Sequence, residues 1–388
     1  AIMKRKICVV SSSRADYGLL TPLLHEIKND NSLELQLFIT GMHLSKEHGL
    51  TYKEVERDFK ITQKIDIELS STDFVSVSKS MGLAQMYFAE AYAQYKPDIV
   101  VVLGDRFEIL SVVSAAMMAK LPIAHLSGGE LTLGAIDDSI RHAITKMSHL
   151  HFVATDEYEQ RVKQLGESSQ FIFNFGEAGL DNIMSKELLS KEAFEESINT
   201  VLLEKSLLIT YHPTTRKTRE ENISDLQILL ECLDTLENTS LIFTKANADE
   251  GGEMMNKMVA TYVAINKDKA VLFTSLGQLR YLSALQYVDA VVGNTSSGIV
   301  EAPSFKIGSI NIGDRQKGRV QAPSVINTTS ERNSLMKAFT KLYTVEFKKS
   351  LVNIVNPYYQ KNSSHKTKED LKNIDLDGLI YKEFQDKR

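Results

Sequence analysis

Short runs of consecutive apolar residues recur along this chain of 388 residues, each closed by a polar turn and followed by a stretch with helical spacing. Residues 6–10 (KICVV) form the first run, and Ser11-Ser12-Ser13-Arg14 is the turn into a helix expected to begin near Asp16. Residues 35–40 (LQLFIT) predict a second strand, ending in Gly41-Met42-His43. The polar segment 44–73 predicts an irregular surface excursion, and a helix follows over 75–95. Residues 97–104 (PDIVVVLG) are apolar without alternation, the mark of a strand buried on both faces, and they deliver Asp105-Arg106 at their carboxyl end. An apolar run at Pro122-Ile123-Ala124, a strand at 152–154 and a helix at 156–165 continue the alternation. After a helical crossover over 176–206 the pattern restarts, with strands at 207–211, 241–244, 271–273, 290–292 and 307–311 separated by helices, one of them from Glu250. Alternating strands and helices imply parallel sheets. The expected organisation is an N-terminal α/β domain over 3–180, a second over 181–365, and a charged helical segment over 366–388 packing back on them.

Length agrees with two cores rather than one. Hydrophobic residues make up 43% and charged residues 24%, an ordinary globular balance. The net charge is −5 with dispersed basic residues, which points away from nucleic acid. No apolar run approaches membrane-spanning length, and no charged-then-apolar leader is present, so a soluble, cytoplasmic protein is expected. Cys8 and Cys232 fall in strand and helix interiors, where buried reduced thiols are expected rather than a disulfide.

Candidate chemistry concentrates between His125 and His151. A tight turn at Gly128-Gly129 follows a strand and leads to Glu130, Asp137 and Asp138, then Arg141 and His142. Carboxylates just beyond a strand end suit general acid–base work, because an open α/β sheet places its sites there. The same carboxylates also suit the first turn of a helix, where they complement its dipole; the pattern alone leaves both readings open. Arg14, at the start of the first helix, could reach a phosphate or remain a solvated turn residue. His142, His149 and His151 are spaced so that one helix face cannot gather them, which argues against a metal site. No Gly-x-Gly-x-x-Gly is present, which weakens a dinucleotide reading. In the second half, Tyr211-His212-Pro213, Lys245 to Asp249 and Gly293-Asn294-Thr295-Ser296-Ser297-Gly298 all end strands. The last could cradle an anion on hydroxyls and backbone N–H groups, with Glu301 a turn further on for a ribose, or could simply cap a helix.

These residues carry a resemblance. The runs RADYG (14–18), GDRFE (104–108), GGE, IDDSIRHAITKMSHLHF (136–152), YHP, NADEG and GNTSSGIVE closely resemble the hydrolysing UDP-N-acetylglucosamine 2-epimerases, in family order and over nearly the whole chain. The resemblance implies two Rossmann-like, doubly wound domains facing across a cleft, as in GT-B folds, and a homodimer or homotetramer. It implies Asp105, Glu130, Asp137 and His212 as the catalytic set. Arg14, Gly18, His43, Arg106, Asn247, Asp249, Ser296, Ser297, Glu301 and Arg315 would bind a UDP-sugar. Relatives often carry Glu or His two residues after the histidine of the GGE turn; here Ser127 stands there, so Glu130, or a water on Ser127, must serve instead. The implied reaction is anti elimination of UDP to a 2-acetamidoglycal, then addition of water at C1 and a proton at C2, with no metal and no redox cofactor. The substrate expected from the resemblance is UDP-N-acetylglucosamine, giving N-acetylmannosamine and UDP for sialic-acid-type sugars, with UDP-2,4-diacetamido-2,4,6-trideoxyglucose as the alternative; the motifs themselves do not choose between the two sugars. The alternatives from other classes are a glycosyltransferase of the same two-domain type and a non-catalytic nucleotide-sugar-binding protein. The carboxylate cluster opposes the latter, since three negative charges do not help to hold a diphosphate.

Overall fold

A computed structural model describes residues 3–133, 135–246 and 251–387. The chain forms two compact units: residues 1–130, 136–184 and 358–388 make the first, residues 131–135 and 185–357 the second. The first contains a parallel sheet of β1 (Arg5–Ser11), β2 (Leu33–Thr40), β3 (Gln63–Ile65), β4 (Ile99–Leu103), β5 (Ile123–Leu126), β6 (Leu150–Val153) and β7 (Ile172–Asn174), in the order β3-β2-β1-β4-β5-β6-β7. The second contains β8 (Lys205–Thr210), β9 (Thr239–Thr244), β10 (Ala270–Phe273), β11 (Ala290–Gly293), β12 (Gly308–Ile312) and β13 (Val325–Thr328), in the order β10-β9-β8-β11-β12-β13. Each sheet runs outward from its first strand and then reverses, the doubly wound Rossmann-like order. The reversal falls between β1 and β4 in one unit and between β8 and β11 in the other. Ligands of such sheets bind outside the carboxyl ends of the strands at that point.

The central strands are apolar throughout because helices cover both faces. All five residues of β4 are buried, and apolar clusters lie on both sides of the first sheet. The helix Arg14–Asn29 turns Leu20, Leu23, Leu24 and Ile27 onto one of these faces, all fully buried. Truncating any of the leucines would cost about 2–5 kcal/mol. That helix begins at Arg14, two residues before the expected start, because the Ser13 side chain accepts the Asp16 N–H and caps it. Pro22 sits inside it and has no N–H for the carbonyl of Gly18. Asn182 Nδ2 donates to that oxygen at 3.0 Å and fills the gap.

The segment 44–73 is less irregular than its polarity suggests: it holds the short helix Tyr52–Asp58, which buries only Val55, and the edge strand β3. The third helix runs Phe74–Tyr95, capped by the Asp73 carboxylate. In the second unit the described part of the helix expected from Glu250 spans Gly252–Ile265, and residue 250 lies outside the described residues. β13 and the helix Arg332–Leu342 after it had no clear apolar signal and complete that unit's sheet and cover. The C-terminal stretch returns to the first unit: its helix Ser363–Asn373 starts before residue 366, and the Arg5 guanidinium donates to Leu371 O and Ile374 O, each at 2.9 Å. Both cysteines are free and buried. Among the described residues no helix is long and apolar enough to cross a membrane.

Candidate active site

The switch point of the first sheet collects most of the predicted acid–base residues. Asp105 follows β4 directly, and the Arg141 guanidinium, only 4% exposed, donates from Nη2 to its Oδ2 at 2.7 Å. Nη1 of the same guanidinium donates to the carbonyl of Ser127 at 2.6 Å. Burial works against the charge on Arg141, but the carboxylates of Asp105 and Glu130 overcome it and hold the guanidinium protonated. One cation therefore organises the end of β4, the turn after β5 and the buried Glu130.

That turn is tightly specified. Ser127 adopts a left-handed backbone (φ 65°), uncommon for a residue with a side chain. Gly129 also has positive φ, and a β-carbon there would lie 2.4 Å from the carbonyl oxygen of Tyr158. Arg161 Nη1 donates to Gly129 O at 2.6 Å. Ser127 Oγ donates to the buried Glu177 carboxylate at 2.9 Å, and Glu177 Oε1 accepts the Gly179 N–H. Ser127 is thus hydrogen-bonded to a carboxylate fifty residues away. Asp137 and Asp138 occupy the first turn of the helix Ile136–Met147, so the helix-end reading holds for their position. It does not displace the acid–base reading of Asp137, which is half-buried four residues before Arg141 on that helix. Asp138 is turned to His142, 3.4 Å away.

Across the switch point, the end of β1 carries Arg14, whose Nε lies 3.6 Å from Glu54. His43 is buried between Ser11 Oγ (2.8 Å) and Thr51 Oγ1 (2.9 Å). Burial, reinforced by the charge of Arg14, pushes it down to about 3, so its imidazole is neutral at any ordinary pH. Arg106 Nε pairs with the fully buried Glu108 at 2.9 Å. Gly18 lies within the first helix, where its carbonyl serves the Pro22 gap.

The second unit presents its residues at the β8–β11 reversal. The His212 N–H donates to Asn294 Oδ1, and Asn294 Nδ2 donates back to His212 O, both at 2.7 Å. This two-way clamp ties the ends of β8 and β11 together. Gly293, at φ 135°, permits it: a β-carbon there would sit 1.9 Å from Thr210 O. Burial first, then Arg315, drives His212 far below its ordinary value, so the apo imidazole is neutral. Arg315 Nη1 and Gln316 Nε2 both donate to Asn294 O at 3.0 Å. Ser297 Oγ accepts from Tyr281 at 2.6 Å, while Ser296 and Glu301 flank the helix Ser297–Val300. That helix is a single turn, so its dipole is small and backbone N–H groups and Arg315 must carry any anion-binding role. Asn247 and Asp249 lie outside the described residues.

Sequence reasoning named Arg141 without giving it a role and missed Glu177. Arg141 stands four positions beyond Asp137, on the same helix face, which was a usable signal. Glu177 had none, since only folding brings it to Ser127.

The chain matches the family described as UDP-N-acetylglucosamine 2-epimerase over residues 25–372. It is 50% identical over 384 residues to a hydrolysing GDP/UDP-N,N'-diacetylbacillosamine 2-epimerase of Campylobacter jejuni, covering 99% of both chains. It is 36% identical to the polysialic acid biosynthesis protein P7 of Escherichia coli, covering 98% of this chain and 97% of that one. Its fold is similar to that of the UDP-GlcNAc 2-epimerase of Neisseria meningitidis bound to UDP-GlcNAc, with TM-score 0.79, 19% identity and 94% and 99% of the two chains covered. The chain belongs to the UDP-N-acetylglucosamine 2-epimerase family.

Proposed function

We propose that this chain is a hydrolysing 2-epimerase of a nucleotide-linked 2-acetamido sugar, and that the sugar is 2,4-diacetamido-2,4,6-trideoxyglucose (N,N'-diacetylbacillosamine). The observation that carries the chemistry is the constellation of Asp105, Arg141, Glu130 and Ser127 at the switch point of the first sheet. The full-length likeness to the Campylobacter jejuni enzyme supports the sugar.

The C2 proton of a 2-acetamido sugar is not acidic until the C1–O bond begins to break. The developing oxocarbenium then makes C2–H acidic enough for a carboxylate. Asp105 is fixed in place by the Arg141 guanidinium at 2.7 Å and so suits the base. The departing nucleotide gathers negative charge, which Arg14, Arg106 and Arg315 would neutralise while His212 and the N–H groups around Ser296 and Ser297 donate hydrogen bonds to it. Glu301, with Asn247 and Asp249, would hold the nucleoside. Elimination leaves a 2-acetamidoglycal. Water adds at C1, a proton returns to C2 on the other face, and the manno sugar and free nucleotide result. Glu130 and Asp137 remain to orient and relay the protons of the water that adds at C1, and no redox carrier enters the route.

UDP-N-acetylglucosamine, giving N-acetylmannosamine for sialic-acid-type sugars, is the second reading. The family description and the Escherichia coli relative favour it. A glycosyltransferase would need an acceptor. Incubating the protein with each sugar nucleotide alone separates these readings by the UDP or GDP released: faster release with the diacetamido sugar is expected. Preference for UDP-N-acetylglucosamine would select the second reading, and no release from either would refute the epimerase.

A further inference from the structure

The route above needs protons handled on both faces of the sugar ring, because C2 loses one on one face and gains one on the other. Asp105, Glu130 and Asp137 all come from one side of the switch point: β4, β5 and the helix that follows them. The opposite side is the end of β1, where the first carboxylate that follows the strand in the chain is Asp16.

Asp16 occupies the third position of the helix Arg14–Asn29, where a carboxylate commonly turns back to cap its own helix. Ser13 Oγ accepts the Asp16 N–H at 3.2 Å, and the Asp16 carboxylate takes hydroxyl hydrogen bonds from Ser13 and from Ser12, the latter to Oδ2 at 3.1 Å. Gly41 sits between the carbonyl of Ser12 and the carboxylate of Glu108, a residue that follows β4. A β-carbon at Gly41 would meet Ser12 O at 2.9 Å and Glu108 Oε1 at 3.0 Å, so glycine lets the two approach. Glu108 in turn carries Arg106, the residue after Asp105. The charges of Arg106 and Glu108 act on the Asp16 carboxylate, which places it at the β1–β4 reversal beside the residues that follow Asp105.

We propose that Asp16 is a proton-handling residue of the reaction, delivering the proton to C2 of the glycal from the face opposite the base. This rests on the functional reading above. In the first half, Asp105 takes the C2 proton, the C2–H pair becomes the C1=C2 bond, and the C1–O pair leaves with the nucleotide. In the second, the π pair takes the proton of Asp16 at C2 while a water oxygen bonds to C1. The surplus proton of that water reloads Asp16, and Asp105 returns its proton to solvent. One proton is released per nucleotide freed, as the hydrolysis requires.

The electrostatics agree with a proton donor. Burial pushes the Asp16 carboxyl up to about 6 against the nearby Arg106, and Glu108 adds to the rise while the Ser13 and Ser12 hydroxyls oppose it. The other charged neighbours are engaged elsewhere: Arg14 with Glu54, neutral His43 with Ser11 and Thr51, and Lys368 and Lys372 with Asp30 at the far end of the helix.

The test compares wild type, Asp16→Asn and Asp16→Glu with the diacetamido and N-acetylglucosamine nucleotides, following nucleotide, glycal and manno sugar separately across pH. Asp16→Asn keeps the hydrogen-bonding shape but cannot deliver a proton. It should lower manno-sugar formation at least about 100-fold while nucleotide is still released and glycal accumulates. The decline in kcat above pH about 6 should disappear with it, and Asp16→Glu should restore part of both. An unchanged ratio of glycal to manno sugar in Asp16→Asn, or an unchanged pH profile, would make Asp16 a helix-end residue only and overturn the role. If the wild type released no nucleotide, the functional reading would fall first and this role with it.

Discussion

Arg141 fastens Asp105 to the turn that precedes Glu130. Its Nη2 lies 2.7 Å from Asp105 Oδ2, and its Nη1 lies 2.6 Å from the carbonyl of Ser127. The two contacts use different prongs of one rigid guanidinium, so they fix the relative position of the ends of β4 and β5. A lysine has no second prong and cannot hold both. Arg141→Lys should therefore fold, yet lose at least about 100-fold in kcat as Asp105 drifts from its place. Arg141→Gln should also lose roughly 3 kcal/mol of stability, the lower end for a broken buried pair, because Asp105 is 19% exposed. Urea unfolding and steady-state kinetics measure the two effects separately. Wild-type turnover in Arg141→Lys would show that the Asp105 geometry does not matter.

The second unit makes a parallel prediction. Asn294 is the only side chain in the two-way clamp on the His212 backbone, so Asn294→Ala leaves a buried N–H and a buried C=O without those partners. The expected cost is about 1–3 kcal/mol. Nucleotide binding should weaken as well, because Arg315 and Gln316 both rest on the Asn294 carbonyl and would shift with the turn. Calorimetry with UDP alone reads this without catalysis. Full UDP affinity in a folded Asn294→Ala would place the nucleotide away from the β8–β11 reversal.

The parts of this molecule that the sequence announced are those where one local rule sufficed. β4 reads as a strand because both its faces are covered and every residue is apolar. The β1 and β11 turns read as turns because serines cluster there. What was hidden depends on partners distant in the chain. Ser127 finds Glu177 fifty residues later, and the Gly18 carbonyl finds Asn182 only because Pro22 leaves it vacant. β3, β7 and β13 were missed because three or four residues at or near a sheet edge, partly exposed, carry too little apolar signal. The helix after β11 is limited to one turn because Pro303 lies shortly beyond it and the chain turns into a 3₁₀ segment at Ala302–Phe305.

A buried cluster behind the sheet gives a pH prediction. Glu167 receives His151 Nε2 at 2.8 Å, and Lys146 and Lys382 each at 2.5 Å. Burial alone would raise its carboxyl, but His151 and the two lysines outweigh it and bring it down from 4.5 to about 2. A depressed carboxyl stabilises the fold above its unfolded value, and that contribution fades as pH falls toward the folded one. Glu167→Gln should accordingly be less stable than wild type at neutral pH by roughly 3–5 kcal/mol. The gap should close between pH 4.5 and about 2. Denaturation midpoints across that window check it; a gap that stays constant would mean the charge on Glu167 does not contribute.

The central claim is that C2 is deprotonated and reprotonated during loss of the nucleotide. Turnover of the diacetamido and N-acetylglucosamine nucleotides in heavy water, with the product examined by mass spectrometry and proton NMR, tests it directly. The account predicts free nucleotide and a manno-configured sugar carrying one deuterium at C2, with oxygen from labelled water at C1. A product that keeps its original C2 hydrogen, or one that retains gluco configuration after hydrolysis, would contradict it.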